Sequence, residues 1–211
     1  MLHYDLVHWS AFFSAALLLN LAPGPDLAFI LGHTARGGRR HGLAAMLGVW
    51  VGVLCHITFA VVGLSALIAA SAQAFAAVKW AGVAYLFWLG IQALRSQGTF
   101  LSDACPHQAV SRGKVFGQGV LVNILNPKVA IFFLAFLPQF VVVGAGPIWL
   151  QLLLHGVLII AVAALIEPPL VFFGDRVTAR LRASNRLSVW LDRALGGMLI
   201  GLGLKLASLR R

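Results

Sequence analysis

Six apolar stretches follow one another along the chain, near residues 6–31, 43–70, 74–94, 115–143, 147–173 and 187–207. Each reaches the ~20 residues that cross ~30 Å of hydrocarbon as a helix. Together they take up most of the 211 residues. What is left is too short for a soluble catalytic or nucleotide-binding domain, which excludes ATP-driven pumps and receptor kinases, and there is no Walker-type glycine–lysine loop. With 60% hydrophobic and 10% charged residues, a water-facing surface of ordinary charge density cannot be built. The chain reads as an integral membrane protein.

A bilayer core offers backbone groups no water, so each stretch must be helical, and the short alternating segments of a β-barrel are absent. The expected fold is an all-α bundle of six transmembrane helices. The stretch after Met1–Trp9 lacks a basic leader and leads into Ala-Pro-Gly-Pro-Asp rather than a small-residue cleavage site, so it is kept as helix one. Cys55 and Cys105 form no CxxC and imply neither disulfide nor structural zinc. The net charge of +10 resides in short loops, not in an aromatic-interleaved stripe, so nucleic acid is not an expected partner.

Because successive loops alternate sides, Arg36, Arg39, Arg40, Arg95, Arg112, Lys114, Arg176, Arg180, Arg182 and Arg186 share one face, against Lys79, Lys205, Arg210 and Arg211 on the other. The first face is expected to be cytoplasmic, with both termini outside, although the C-terminal cations dissent. The least apolar connection, 95–114, divides the chain into halves: 1–98, a cytoplasmic connecting loop 99–114, and 115–211. Each half holds three helices, and helices one and four are each interrupted by proline, in Asn20-Leu-Ala-Pro-Gly-Pro-Asp26 and Asn123-Ile-Leu-Asn-Pro-Lys128. Three is odd, so the second half enters the membrane from the other side: a 3+3 inverted repeat, an arrangement typical of secondary transporters.

Proline inside a helix removes a donor and costs about 3 kcal/mol, and Pro23-Gly24-Pro25 doubles the interruption. Unwound backbone is tolerated at membrane depth only where protein or a wet cavity surrounds it. The half-helix downstream then presents free N–H groups and a positive dipole end. Pro25 and Pro127 suit the first position of that half-helix, and each is followed by an ionisable residue, Asp26 or Lys128. A carboxylate site at Lys128 facing an ammonium site at Asp26 would suit a zwitterion such as an amino acid. The competing reading pairs the two charges with each other or with helix ends. Asn20, Asn123 and Asn126 can serve the freed backbone groups as well as a ligand.

Glu167, in Leu165-Ile-Glu-Pro-Pro-Leu170, can carry a coupling proton if it is desolvated. Alternatively, Pro168 and Pro169 end the helix near the interface and leave Glu167 to Arg176 or Arg180. His56 and His155 have relay chemistry, but each reads equally as a packing residue. Gly48/Gly52 and Gly197/Gly201 have the spacing of close helix approach, Gly113/Gly117 lies at the entry to helix four, and Trp9, Trp80, Trp149 and Trp190 sit where interfacial residues belong. No HExxH, GxSxG or acidic pair argues for an enzyme. A divalent-cation exporter or channel using Asp26, Glu167, His56, His155 and Cys55 is the alternative class, though metal-ligand spacing is lacking.

Asn20-Leu-Ala-Pro-Gly-Pro-Asp26, then Arg36-Gly-Gly-Arg-Arg-His-Gly-Leu with Gly48 and Gly52, then Asn126-Pro-Lys128, together resemble the LysE/RhtB family of amino-acid exporters. The resemblance runs nearly end to end, through Tyr85-Leu-Phe-Trp-Leu-Gly90 and Gly196-Gly-Met-Leu-Ile-Gly-Leu-Gly-Leu. It implies a small inner-membrane exporter of amino acids or related metabolites, driven by the proton gradient, assembling as a homodimer and needing no cofactor. It places one break on Pro23, Gly24 and Pro25 and the other on Asn126, Pro127 and Lys128. Glu167-Pro168-Pro169 departs from the family pattern and adds an acid near the cavity. The family handles basic, neutral and sulfur-containing amino acids, so the resemblance fixes no substrate.

Overall fold

The computed structural model describes residues 4–22, 24–64, 72–95, 110–174, 176 and 185–208. Pro23, Cys105, Arg180, Arg182, Arg210, Arg211 and the 98/99 boundary lie outside the described residues, as do positions 99–109 of the connecting loop. Among the described residues the structure is helical, without strands.

Helix α1 (Leu6–Leu21) starts on Asp5, whose carboxylate accepts from His8 N at 2.7 Å. It stops at Ala22, where the backbone turns extended. Helix α2 (Pro25–Phe59) begins with proline at its first turn, as expected where the missing donor is harmless. It is two helical arms that meet at Gly38, which adopts φ 72°, ψ −177°, a conformation natural only to glycine. A Cβ on Gly42 would collide with Thr34, whereas eight residues along a straight helix span about 12 Å. The chain therefore folds back at Gly38, which turns 25–37 and 39–59 into a hairpin at the Arg36–Arg40 turn. A π-helical turn, Ala60–Leu64, extends the second arm.

Helix α3 (Ala72–Arg95) precedes α4 (Arg112–Ile124), which Ser111 caps. Helix α5 (Pro127–Ile131) continues as a π-helical turn, Phe132–Phe136, and a 3₁₀ turn, Leu137–Phe140. The run from Pro127 to Phe140 is bent 47° from α4. Helices α6 (Ile148–Phe172) and α7 (Asn185–Ser208) complete the described chain. Pro168 and Pro169 do not end α6: helical bonding resumes with Phe173 N to Pro169 O at 2.9 Å. By length and composition α6, the bent α4–α5 run and the Pro25–Gly63 stretch, the last counted along both arms of the hairpin, are apolar and long enough to cross a membrane.

The polarity of the bundle is reversed relative to a water-soluble protein. Leu165, Val62 and Trp190 are largely exposed, while Asp26, His56, Asn123, Lys128, His155 and Glu167 are buried. Hydrocarbon outside explains the first set, and the cost of placing charge in lipid explains the second. Close approaches fix the pairing of helices. Gly48 and Gly52 face the backbone of α4, with Gly119 opposite, so that a Cβ on Gly119 would lie 2.6 Å from Ala45 O. Helices α3 and α7 meet at Gly90 and Gly196, where a Cβ on Gly196 would come 2.6 Å from Gly90 O. Gly113, Gly117, Gly197 and Gly201, in contrast, face open space. Spacing alone identified two pairs that the rotation of their helices leaves outside the contacts.

Candidate functional site

The two proline breaks meet in the interior. In a continuous helix Leu19 O would accept from residue 23 and Asn123 O from residue 127, but both donors are prolines without an N–H. Lys128 supplies the first replacement. Its ammonium donates to Leu19 O at 3.3 Å, to Ala22 O at 3.0 Å and to Asp26 Oδ1 at 3.4 Å. An ammonium has three donors, so all are engaged and none is left for a substrate carboxylate in this conformation. The cation also sits at the negative end of the α1 dipole. Asn123 O is served by Asn126 N at 2.9 Å and by His56 Nε2 at 3.1 Å, which makes Nε2 the protonated ring nitrogen. His56 also stacks on Phe133.

Gly24 is extended and makes no side-chain cap, whereas Asn126 Oδ1 accepts from Lys128 N at 3.1 Å. A Cβ on Gly24 would lie 2.8 Å from Asp26 Oδ1 and 2.9 Å from Lys128 Nζ, so glycine lets the ion pair close over the break. Asn20 Nδ2 donates to Ala16 O at 2.8 Å and also reaches Ile159 O on α6, so this amide braces the first break. Asn123 behaves differently. It is fully buried, and neither Oδ1 nor Nδ2 has a protein partner, which costs about 1–3 kcal/mol per group unless a water or a ligand supplies one.

Asn20, Asp26, Asn123 and Glu167 line one cavity, together with Trp50, Val49, Val53, Phe133 and Ile159. Its volume of about 20 Å³ holds roughly one water. A molecule the size of an amino acid is several times larger and would fit only if the surrounding helices part. Glu167 is buried, and its Oε2 accepts from the Trp50 indole N–H at 2.6 Å. Of the two acids, Asp26 has an ammonium as its partner and Glu167 a neutral N–H. The continuation of α6 past Pro168 and Pro169 turns Glu167 inward instead of releasing it to Arg176. Trp50 was not legible as its partner, since the two lie 117 residues apart.

A second polar cluster closes one end of α1 and α6. His155 Nδ1 faces Gln151 O at 2.8 Å and must donate to it, so His155 Nε2 accepts from His8 Nε2 at 2.8 Å. Tyr4 stacks on His8 and donates to Gln151 Oε1 at 3.1 Å; burial pushes its hydroxyl above the usual range, which keeps it a donor. Gln151 also holds the 141–147 turn through Val142 and Gly146. Trp9 joins this cluster by stacking on His155, while Trp80, Trp149 and Trp190 face outward. Among the described residues no three His, Cys, Asp or Glu side chains gather to hold a metal ion. Cys55 is a free thiol.

The sequence profile of the LysE type translocators matches residues 17–210. The chain belongs to that family. The translocator is 33% identical to a homoserine/homoserine lactone efflux protein of Salmonella typhimurium, over 96% of this chain and 97% of that one. It is 31% identical to an uncharacterised membrane protein of Vibrio cholerae, over 97% and 98% of the two chains, and 30% identical to one of Bacillus subtilis, over 92% and 96%. No solved structure matches it. It is thus a membrane-embedded transporter of a small molecule and not an enzyme.

Proposed function

We propose that this translocator exports amino acids or closely related small metabolites across the inner membrane by proton antiport, at a midplane site between its two broken helices. The observation that carries the reading is the cavity in which Asp26 and Glu167 converge beside both breaks. Asp26 and Glu167, with Asn20 beside them, suit the ammonium of an amine substrate. Lys128, Asn126 and the start of α5 become available to a substrate carboxylate only if the ion pair opens. Pro23, Gly24, Pro25 and Pro127 shape the site through the backbone they interrupt. Glu167 is the coupling acid: its direct partner is an uncharged indole, so a proton can come and go without breaking an ion pair.

The helix pairing supports a 3+3 inverted repeat. The arm 39–59 packs on α4 as α6 packs on α1, and α3 packs on α7, as exchange of the two halves requires. The halves then rock about the breaks, with the Arg36–Arg40 turn cytoplasmic and both termini outside. The test is flux in proteoliposomes. Homoserine loaded under an imposed pH gradient should accumulate and then leak when the gradient is collapsed. Glu167→Gln should retain homoserine counterflow and lose gradient-driven accumulation. Accumulation by that variant at the wild-type level removes Glu167 from coupling, and no amine flux in the inserted wild type removes the exporter reading.

A further inference from the structure

We infer that the Asn123 side-chain amide sets the specificity of the central cavity by hydrogen-bonding a hydroxyl on the side chain of the amine substrate. The inference rests on the exporter reading and names what its site selects.

Of the three asparagines at the breaks, Asn20 braces α1 through Nδ2 and Asn126 caps α5 through Oδ1, which leaves Asn126 Nδ2 without a protein partner but outside the cavity lining. Asn123 does neither. Its own carbonyl is already served by Asn126 N and His56 Nε2, so the backbone makes no demand on its amide. The amide lines the cavity, fully buried, with both of its polar atoms unpartnered. Space for it exists because residue 52 is glycine: a Cβ there would lie 2.6 Å from Asn123 Cβ and 2.9 Å from Oδ1. A buried donor and acceptor side by side without protein partners call for a partner from outside the chain, a water that a ligand can displace or the ligand itself.

An amide offers one acceptor at Oδ1 and donors at Nδ2. A hydroxyl both donates and accepts, so it is the small neutral group that satisfies the two atoms together. A ring or carbonyl oxygen satisfies Nδ2 alone, and a methyl group satisfies neither. A side-chain carboxylate would face Asp26 and Glu167 across the same small space. Val49, Val53 and Phe133 give the carbon skeleton apolar walls, and the small volume favours a short side chain. A site built to bond a hydroxyl rejects the analogue lacking it far better than an apolar pocket rejects a missing methylene.

The probes are homoserine, homoserine lactone and 2-aminobutyrate, in counterflow through the full-length protein in liposomes. The wild type should move homoserine at least about tenfold faster than 2-aminobutyrate, with the lactone between them. In Asn123→Ala the homoserine to 2-aminobutyrate ratio should fall to near one while 2-aminobutyrate flux persists. A transporting Asn123→Ala that keeps the wild-type ratio overturns the inference, as does a wild-type ratio near one. If Asn123→Ala fails to insert, the wild-type ranking of the three probes decides alone. A wild type that moves none of the three overturns the exporter reading itself, a result distinct from flux without hydroxyl preference.

Discussion

The breaks at 22–26 and 124–128 solve the same problem with different means. Each lacks one backbone donor because a proline stands four residues past a carbonyl, and each carbonyl is taken up by a side chain from the other half of the chain. At the second break the donor is a neutral imidazole, helped by the backbone of Asn126 and by its side-chain cap. The bend is held mostly by its own residues. At the first break Gly24 gives no cap, and the principal donor is a full charge from the opposite helix. The first break therefore leans on the opposite half of the chain more than the second does, and in the proposed rocking it is released when the halves part.

This asymmetry ranks the consequences of substitution. Lys128→Ala should have the largest effect, because it leaves Asp26 buried without its cation, at a cost of about 3–5 kcal/mol, and frees the carbonyls of Leu19 and Ala22. Loss of homoserine flux, with a lower unfolding midpoint in detergent, is the expected result; near-wild-type flux would show that the breaks work without their charged link. Gly24→Ala comes next. The added Cβ meets the mobile ends of Asp26 and Lys128 rather than backbone, so folding should survive while the ion pair spreads. Flux should drop about tenfold, equivalent to ~1.4 kcal/mol, with little change in midpoint. His56→Phe, which can keep a ring against Phe133 and removes the bond to Asn123 O, should cost only about 1 kcal/mol. A His56 effect as large as that of Lys128 would erase the distinction between the two breaks.

The same comparison shows what a sequence discloses. Both breaks were legible because proline and glycine act on their own helix, and the positions of Pro25 and Pro127 at helix starts follow from a missing N–H. Glu167 was legible as a buried acid but not by direction: Pro168 and Pro169 argued for an early helix end, and only the resumption of bonding at Phe173 turns the carboxylate inward. Its bond to Trp50 and the His8–His155 pair join residues 117 and 147 positions apart, and no local pattern encodes such contacts. Two of the three glycine pairs failed for a related reason. Spacing places two glycines on one face of a helix, but the neighbour decides whether that face is used, as at Gly48 and Gly52 and not at Gly197 and Gly201.

The most direct test of the charged link is a double-mutant cycle on Asp26→Asn and Lys128→Met, read by reversible unfolding of the purified protein. Removing both charges should cost less than the sum of the single losses, by about 1 kcal/mol or more, as for residues that share one buried interaction. Additivity within about 0.3–0.5 kcal/mol would mean that Asp26 and Lys128 act independently, and the coupling of the two breaks through their ion pair would be wrong.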